Sequence, residues 1–412
     1  MVDGGRFPVK RTVGETVRIE VDMFADGHDH LAGVLLFRPE ATQEWERAPL
    51  EELPNDRWVG EFKVEREGSY FYTVEGWLDP FATWRADTEK KVEAGQAIAV
   101  EMEAGALLVT AAAERAVNDE DRTLLLAWAE VLKDPGMEPE QRFGMTQGSE
   151  LDDLMARHPD RSTAAAHGQE LEVLVDRKRA GFSAWYEFFP RSCTDDPARH
   201  GTFDDCLQRL EYVAGMGFDV VYLPPVHPIG QAHRKGPNNA PAAGPDDPGS
   251  PWAIGSREGG HTSIHPSLGT LEDFDAFLLR TRELGMEVAL DLAYQCSPDH
   301  PWVGEHPEWF RRRPDGSIQY AENPPKKYQD IYPLDFETRE WRSLWEALAQ
   351  VAEFWIRRGV KIFRVDNPHT KPFGFWEWMI RRLKEGHPDV LFLSEAFTRP
   401  RKMHRLAKLG FT

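Results

Sequence analysis

Cysteine is scarce. Cys193, Cys206 and Cys296 are the only three in 412 residues, an odd number at wide spacing with no CxxC pair. That pattern fits neither a disulfide framework nor a zinc site, and it reads as reduced thiols in a cytoplasmic protein. Long apolar runs are missing as well. No stretch approaches the roughly 18 apolar residues that a membrane span needs, and the opening MVDGGRFPVKRTVGE lacks the apolar core of a secretory signal. Positive charge is in deficit: 49 Lys and Arg against 69 Asp and Glu leave a net charge of −20. Polyanions are repelled by such a chain, which argues against nucleic-acid and membrane partners, although a local anion site stays open to it. What the chain does have is length, enough for two or three domains or for a β/α barrel with an attached domain.

Three patterns follow one another. From Thr12 the period is two, with Val17, Ile19, Val21 and Met23 alternating against Arg18, Glu20 and Asp22. Similar runs at 33–37, 58–64 and 70–77, separated by turn-rich LPND and REGS, predict an N-terminal β-sandwich over 1–104. From Gly105 the period becomes helical, through AAAERAV, Leu124 to Val131 and Leu151 to Met155, predicting a helical insert over 105–180. Asn118 and Ser149 are candidate N-caps, and Pro135 ends the second helix. From Gly181 strands and helices alternate, which predicts an α/β parallel sheet over 181–412. Its strands are 184–189, 220–223, 288–292, 362–365 and 390–393. Thr202 and Thr270, each three residues before an Asp, mark two helix starts. A Pro- and aromatic-rich excursion at 297–337 follows strand three, a length that usually covers an active face.

Reacting groups of parallel β/α sheets gather at the carboxyl ends of the strands. Here strand three ends in Asp291, strand four in FRVDNPH with Arg364, Asp366 and His369, and strand five in LSEAF with Glu395. Strands lie about 4.8 Å apart, so carboxylates on neighbouring ends fall near the roughly 5–5.5 Å of a retaining glycosidase pair. A lone Asp after a strand is commonly a turn former; the joint occurrence is what points to catalysis. Arg364, two residues before Asp366, points to the same side and keeps that carboxylate ionised as a nucleophile. Leu393, Ala396 and Phe397 give Glu395 an apolar setting that suits a general acid.

The blocks FRVD and SEA resemble the second and third short motifs of the α-amylase superfamily, retaining enzymes on a (β/α)8-type barrel. Within it, AENPPKKYQDIYPLDF, HPEWF, RVDNPHTKP and ALDLAYQCSPDHPWV resemble the maltose-1-phosphate maltosyltransferase family, over essentially the whole chain. The resemblance implies transfer of a maltosyl unit from α-maltose 1-phosphate to the non-reducing end of an α-1,4-glucan. Asp366 would be the nucleophile and Glu395 the acid/base. It places the donor phosphate on Lys235, Asn323, Lys326 and Tyr328, and adds Gln295, Arg364 and Asn367 as substrate-binding positions. It also implies a homodimer without metal or organic cofactor.

Departures accompany the likeness. Gln295 and Cys296 stand where many amylases place an Asn-His pair, which puts a structural calcium in doubt. The chain reaches GFT after five strands, so strands six to eight, a third catalytic carboxylate and a C-terminal β domain are expected to lie outside it, leaving it inactive alone. An α-glucan hydrolase or glucanotransferase, or a non-catalytic glucan-binding or dimerising fragment, remain alternative readings.

Overall fold

A computed structural model describes residues 1–196 and 198–412. The chain divides into two compact units, Met1–Val175 and Asp176–Thr412.

In the first unit the alternating segments form two sheets. Thr16–Asp22, Arg57–Lys63 and Glu51–Leu53 make one. The other is built around Leu31–Pro39 and Gly68–Leu78, which pair antiparallel over nine residues. Val17, Trp58 and Phe62 of the first sheet share a core with Leu35, Tyr72 and Val173 of the second. The intervening polar residues of Thr16–Asp22 face outward, as the period of two requires.

Two features depart from the sequence boundaries. Helices begin at Pro80 rather than near 105: Asp79 caps Pro80–Glu93 by accepting the Ala82 N–H at 2.9 Å. This helix buries only Phe81, Trp84 and Thr88, so its apolar period is faint in the sequence. Strand Leu171–Asp176 also returns from the helical stretch to pair with Gly68–Leu78. Between them, helices Ala99–Arg115, Asp119–Lys133, Pro139–Met145 and Ser149–Arg157 pack around Trp84, Met102, Val109, Leu125 and Leu154. A side chain at Gly105 would stand 2.3 Å from the Trp84 indole, so glycine is what makes room for the ring against the helix. Asn118 caps Asp119–Lys133 through the Asp121 N–H, whereas Ser149 is the first residue of its helix and Gly148 occupies the cap.

The second unit holds five parallel strands in sequential order: β1 (Trp185–Glu187), β2 (Val220–Leu223), β3 (Glu287–Leu292), β4 (Ile362–Val365) and β5 (Leu391–Ser394). Helices α1 (Phe203–Gly215), α2 (Leu271–Glu283), α3 (Trp341–Arg358) and α4 (Phe373–Gly386) connect them. Both Thr202 and Thr270 form capping boxes with the Asp three residues on, which fixes where α1 and α2 begin. Alternate strand residues serve two faces. Val221, Leu223, Val288, Leu290, Phe363 and Phe392 pack with the helices, while Val220, Tyr222, Ala289, Ile362 and Leu391 cluster on the opposite face. The segment after β3 is pinned at its neck by Gln295–Cys296 pairing with Tyr332–Pro333, and carries a hairpin of Ala321–Asn323 and Lys326–Tyr328.

Candidate active site

The register of the parallel sheet lines up the ionisable residues. Arg364 on β4 lies between Asp291 on β3 and Leu393 on β5, and Val365 is paired with Ser394. One residue further, Asp366 and Glu395 become neighbours at the carboxyl ends of adjacent strands. Their backbone N–H groups continue the ladder to Leu292 O and Val365 O, each at 3.1 Å.

One guanidinium holds the group together. Arg364 Nη1 donates to Asp291 Oδ2 at 2.7 Å and to Asp366 Oδ1 at 3.0 Å, and Nη2 lies 2.7 Å from Glu395 Oε1. Tyr222 OH donates to Asp291 Oδ2 at 2.5 Å. Burial pushes Asp291 up to about 7 against the pull of Arg364. Glu395 is raised as well, chiefly by burial; Arg364 opposes this and the Asp366 charge adds to it. One of the two neighbouring carboxyls is thereby biased to hold a proton, the asymmetry a nucleophile and an acid/base need. Asn367, in the left-handed region at φ 43°, directs its N–H to Glu395 Oε2 at 3.4 Å. Its side-chain amide donates to Asp366 Oδ1 at 3.3 Å.

Of these residues Asp366 and Asn367 line a cleft of about 780 Å³, whereas Arg364 and Glu395 lie outside its lining. It brings Asp366 and Asn367 together with Gln295, Asn323 and Tyr328 from the excursion. Gln295 donates its amide to Trp252 O at 3.1 Å, tying it to the wall. Lys326 is exposed and does not line the cleft, but it pairs with Asn323, so by strand alternation it shares the hairpin face of Asn323 and Tyr328. Lys235 is 7% exposed and sits away from the lining, near Asp330, a buried cleft residue whose Oδ1 has no hydrogen-bond partner among the described residues.

Two participants escape sequence reasoning. Tyr222 reads as an apolar strand residue, yet its hydroxyl completes the Asp291 site. Lys371 lies five residues after Asp366, beyond the Pro368–Thr370 turn, and its ammonium donates to Asp366 O and Asn367 O, both at 3.4 Å. Burial lowers its pKa, opposed by Asp366, Asp291 and Glu395. A lysine in the apolar string KPFGFW is the signal that marks it.

His261, Cys296 and His300 offer ligand atoms within 4.8 Å of one another. Their hydrogen bonds do not suit a metal. A metal on His300 Nε2 requires the proton on Nδ1, but Nδ1 accepts the Trp302 N–H at 3.0 Å. Burial also holds the Cys296 thiol far above its ordinary pKa, away from the thiolate a metal needs. Calcium fits no better, since it takes about 6–8 oxygen ligands and Cys296 offers sulfur.

Comparison with known proteins places both units. Residues 1–177 match the domain N/S description of α-1,4-glucan:maltose-1-phosphate maltosyltransferase, and residues 187–358 match the α-amylase catalytic domain. The Chlorobaculum tepidum α-1,4-glucan:maltose-1-phosphate maltosyltransferase is 52% identical over 100% of this chain and 61% of its own length. A Cereibacter sphaeroides protein of the same name is 48% identical, over 100% of this chain and 68% of its own. Among solved structures, an α-amylase from Lactobacillus plantarum is 31% identical with a TM-score of 0.45, over 56% of this chain and 49% of that one. The chain spans about three fifths of the length of several curated relatives that it matches.

Proposed function

Because the chain belongs to the α-1,4-glucan:maltose-1-phosphate maltosyltransferase family, we propose that its cleft transfers a maltosyl unit from α-maltose 1-phosphate to an α-1,4-glucan. The observation that carries this reading is the adjacent pair Asp366 and Glu395 on one Arg364 fork, with Glu395 biased toward its protonated form. Asp366 attacks the anomeric carbon; the bond to the phosphate oxygen breaks, and phosphate leaves with help from the Glu395 proton. Glu395, now ionised, takes the proton of the acceptor 4-hydroxyl as that oxygen displaces Asp366. Two inversions give net retention. We assign the leaving phosphate to Asn323, Lys326 and Tyr328, which share one hairpin face, and to Lys235 of the loop after β2.

The same reading takes the five parallel strands as the first part of a (β/α)8 barrel and the two sheets of the first unit as a β-sandwich. It takes the working enzyme as a cytoplasmic homodimer. Among the described residues no helix is long and apolar enough to cross a membrane.

The test is phosphate release from α-maltose 1-phosphate by this chain joined to the part of the Chlorobaculum tepidum relative that it does not cover. Release that requires glucan is expected. Glucan cleavage without use of the phosphorylated donor would instead identify a hydrolase or glucanotransferase. Within that enzyme, Lys326→Ala should lower kcat/KM for maltose 1-phosphate by about 10-fold or more, the scale of one charge-assisted hydrogen bond. Maltosyl fluoride, which carries no dianion, should be used nearly as before. Equal losses on both donors would remove Lys326 from the phosphate site.

A further inference from the structure

Asp366 stands where β4 gives way to a tight turn, and the carbonyls of that turn need donors the sheet does not supply. The Asp366 N–H continues the ladder to Leu292 O, but its carbonyl has left the strand. Asn367 follows in the left-handed region at φ 43° and ψ 52°, which asparagine tolerates, and Pro368 has no N–H to offer. The later carbonyls have local donors. Thr370 gives Asn367 O its N–H at 3.1 Å and its hydroxyl at 2.7 Å, and the Trp376 indole of α4 donates to Pro368 O at 2.9 Å. The carbonyl of the proposed nucleophile depends on a side chain further along. Among the described residues Lys371 Nζ is the group that donates to Asp366 O, at 3.4 Å, and it reaches Asn367 O at the same distance.

We propose that Lys371 is a positioning residue for glycosyl transfer: its ammonium clamps the Asp366–Asn367 turn, and the clamped Asn367 orients both catalytic carboxyls. The assignment rests on the reading of Asp366 and Glu395 as the reacting pair. Lys371 lines the cleft, yet both of its hydrogen bonds go to the protein's own backbone. That separates it from Lys235 and Lys326, whose assigned partner is the donor phosphate.

Asn367 is the residue on which the clamp acts. Its N–H lies 3.4 Å from Glu395 Oε2 and its side-chain amide 3.3 Å from Asp366 Oδ1. Both contacts are long, so a small rotation of the 366–367 peptide would break them. The two carboxyls would then keep only Arg364 in common. Charge matters beside geometry. Two carbonyl oxygens and three carboxyls face one another here, and a cation relieves them: Asp366, Asp291 and Glu395 each favour the charged ammonium, against the effect of burial. A neutral side chain at 371 would leave the Asp366 carbonyl without its donor and the turn free to rotate.

The experiment uses this chain joined to the part of the Chlorobaculum tepidum relative that it does not cover, with maltose 1-phosphate and maltosyl fluoride as alternative donors to glucan. Lys371→Met keeps most of the side-chain length and removes the charge and the donors. It should lower kcat about 100-fold, the scale of a 1 Å misplacement at a reacting centre, with KM nearly unchanged and the same loss on both donors. Lys371→Arg, which can donate to both carbonyls, should recover much of that loss. Because the lysine acts through Asn367, Lys371→Met combined with Asn367→Ala should be little worse than the more damaging single change. A rise in KM confined to maltose 1-phosphate would make Lys371 a phosphate ligand, and fully multiplicative losses in the double variant would mean that it does not act through Asn367; either result overturns the clamp. So does a kcat close to that of the unmodified enzyme, or one that falls only together with the urea unfolding midpoint, which would mark a contact of the fold. Should the unmodified enzyme cleave glucan without using maltose 1-phosphate, the proposed donor is wrong, and the same kcat, double-variant and midpoint comparisons made on glucan cleavage still decide the clamp.

Discussion

Arg364 faces more negative charge than it can neutralise. One guanidinium lies within 3.0 Å of Asp291, Asp366 and Glu395, so with all three ionised the cluster would be a net anion in a part-buried site. Protons relieve this: Asp291 and Glu395 are both raised, and burial is the leading cause for each. If Glu395 is the proton carrier, Glu395→Gln in the joined enzyme should slow the deglycosylation step and leave a maltosyl adduct on Asp366 when maltosyl fluoride is the donor. Mass spectrometry of the peptide containing Asp366 checks it, and an adduct on any other residue would reverse the assignment. Because the Glu395 pKa is raised, activity should fall as pH rises through it, and the basic limb should lie above the ordinary carboxyl range. Arg364→Met tests the cluster as structure. Asp291 is 1% exposed, and removing the partner of a buried charge costs about 3–5 kcal/mol. The urea midpoint at pH 8 should drop accordingly, and less so at pH 5, where Asp291 can take a proton.

Elements bring together what the sequence keeps apart. His261 comes from the segment after β2 and His300 from the segment after β3, yet they form a relay. The Trp302 N–H donates to His300 Nδ1, which leaves the proton on Nε2 to bridge 3.1 Å to His261 Nδ1; His261 Nε2 then donates to Ala293 O at 3.1 Å. His227 lies beside them, its ring 5.8 Å from that of His261. Burial lowers all three pKa values, to about 4 for His227, to about 3 for His300 and well below the usual value for His261. Unfolded histidines take protons near pH 6.5, so the stability is intact above that pH and is lost as pH falls from about 6.5 toward 4. Three protons give a slope of about 4 kcal/mol per pH unit at its steepest. Urea unfolding at pH 7, 6 and 5 measures it, and His261→Gln should flatten the slope by about one proton; a flat response would mean that the relay does not hold neutral rings. None of this relay was legible in the sequence, since its partners are 39 residues apart and no spacing rule joins them. The capping boxes at Thr202 and Thr270 were legible, because a box is local, and so was β2, because burial on both faces leaves an unbroken apolar run. Helix Pro80–Glu93 was missed because few of its residues are buried, and Tyr222 because a strand residue's hydroxyl partner depends on register.

At the scale of the molecule, the decisive feature is where the parallel sheet ends. Among the described residues β1 and β5 each pair on one side only, so the sheet has two open edges. Short parallel strands with an apolar face are poor edges, because unpaired backbone groups beside buried side chains invite pairing with another chain. Glu395 directly follows Ser394, the last paired residue of edge strand β5, so any strand that adds to β5 would also complete the wall beside the proposed acid/base. The longer relatives have chain to supply such strands: this chain spans about three fifths of their length. We therefore expect the 412-residue chain alone to self-associate and to release no phosphate from maltose 1-phosphate with glycogen. Joined to the remaining part of the Chlorobaculum tepidum relative, it should become a discrete species with turnover. Size-exclusion chromatography and the phosphate assay on the same two preparations decide it. A discrete, active 412-residue protein would show that five strands suffice to hold Asp366 and Glu395 in working geometry, and that the open edges are not a functional defect.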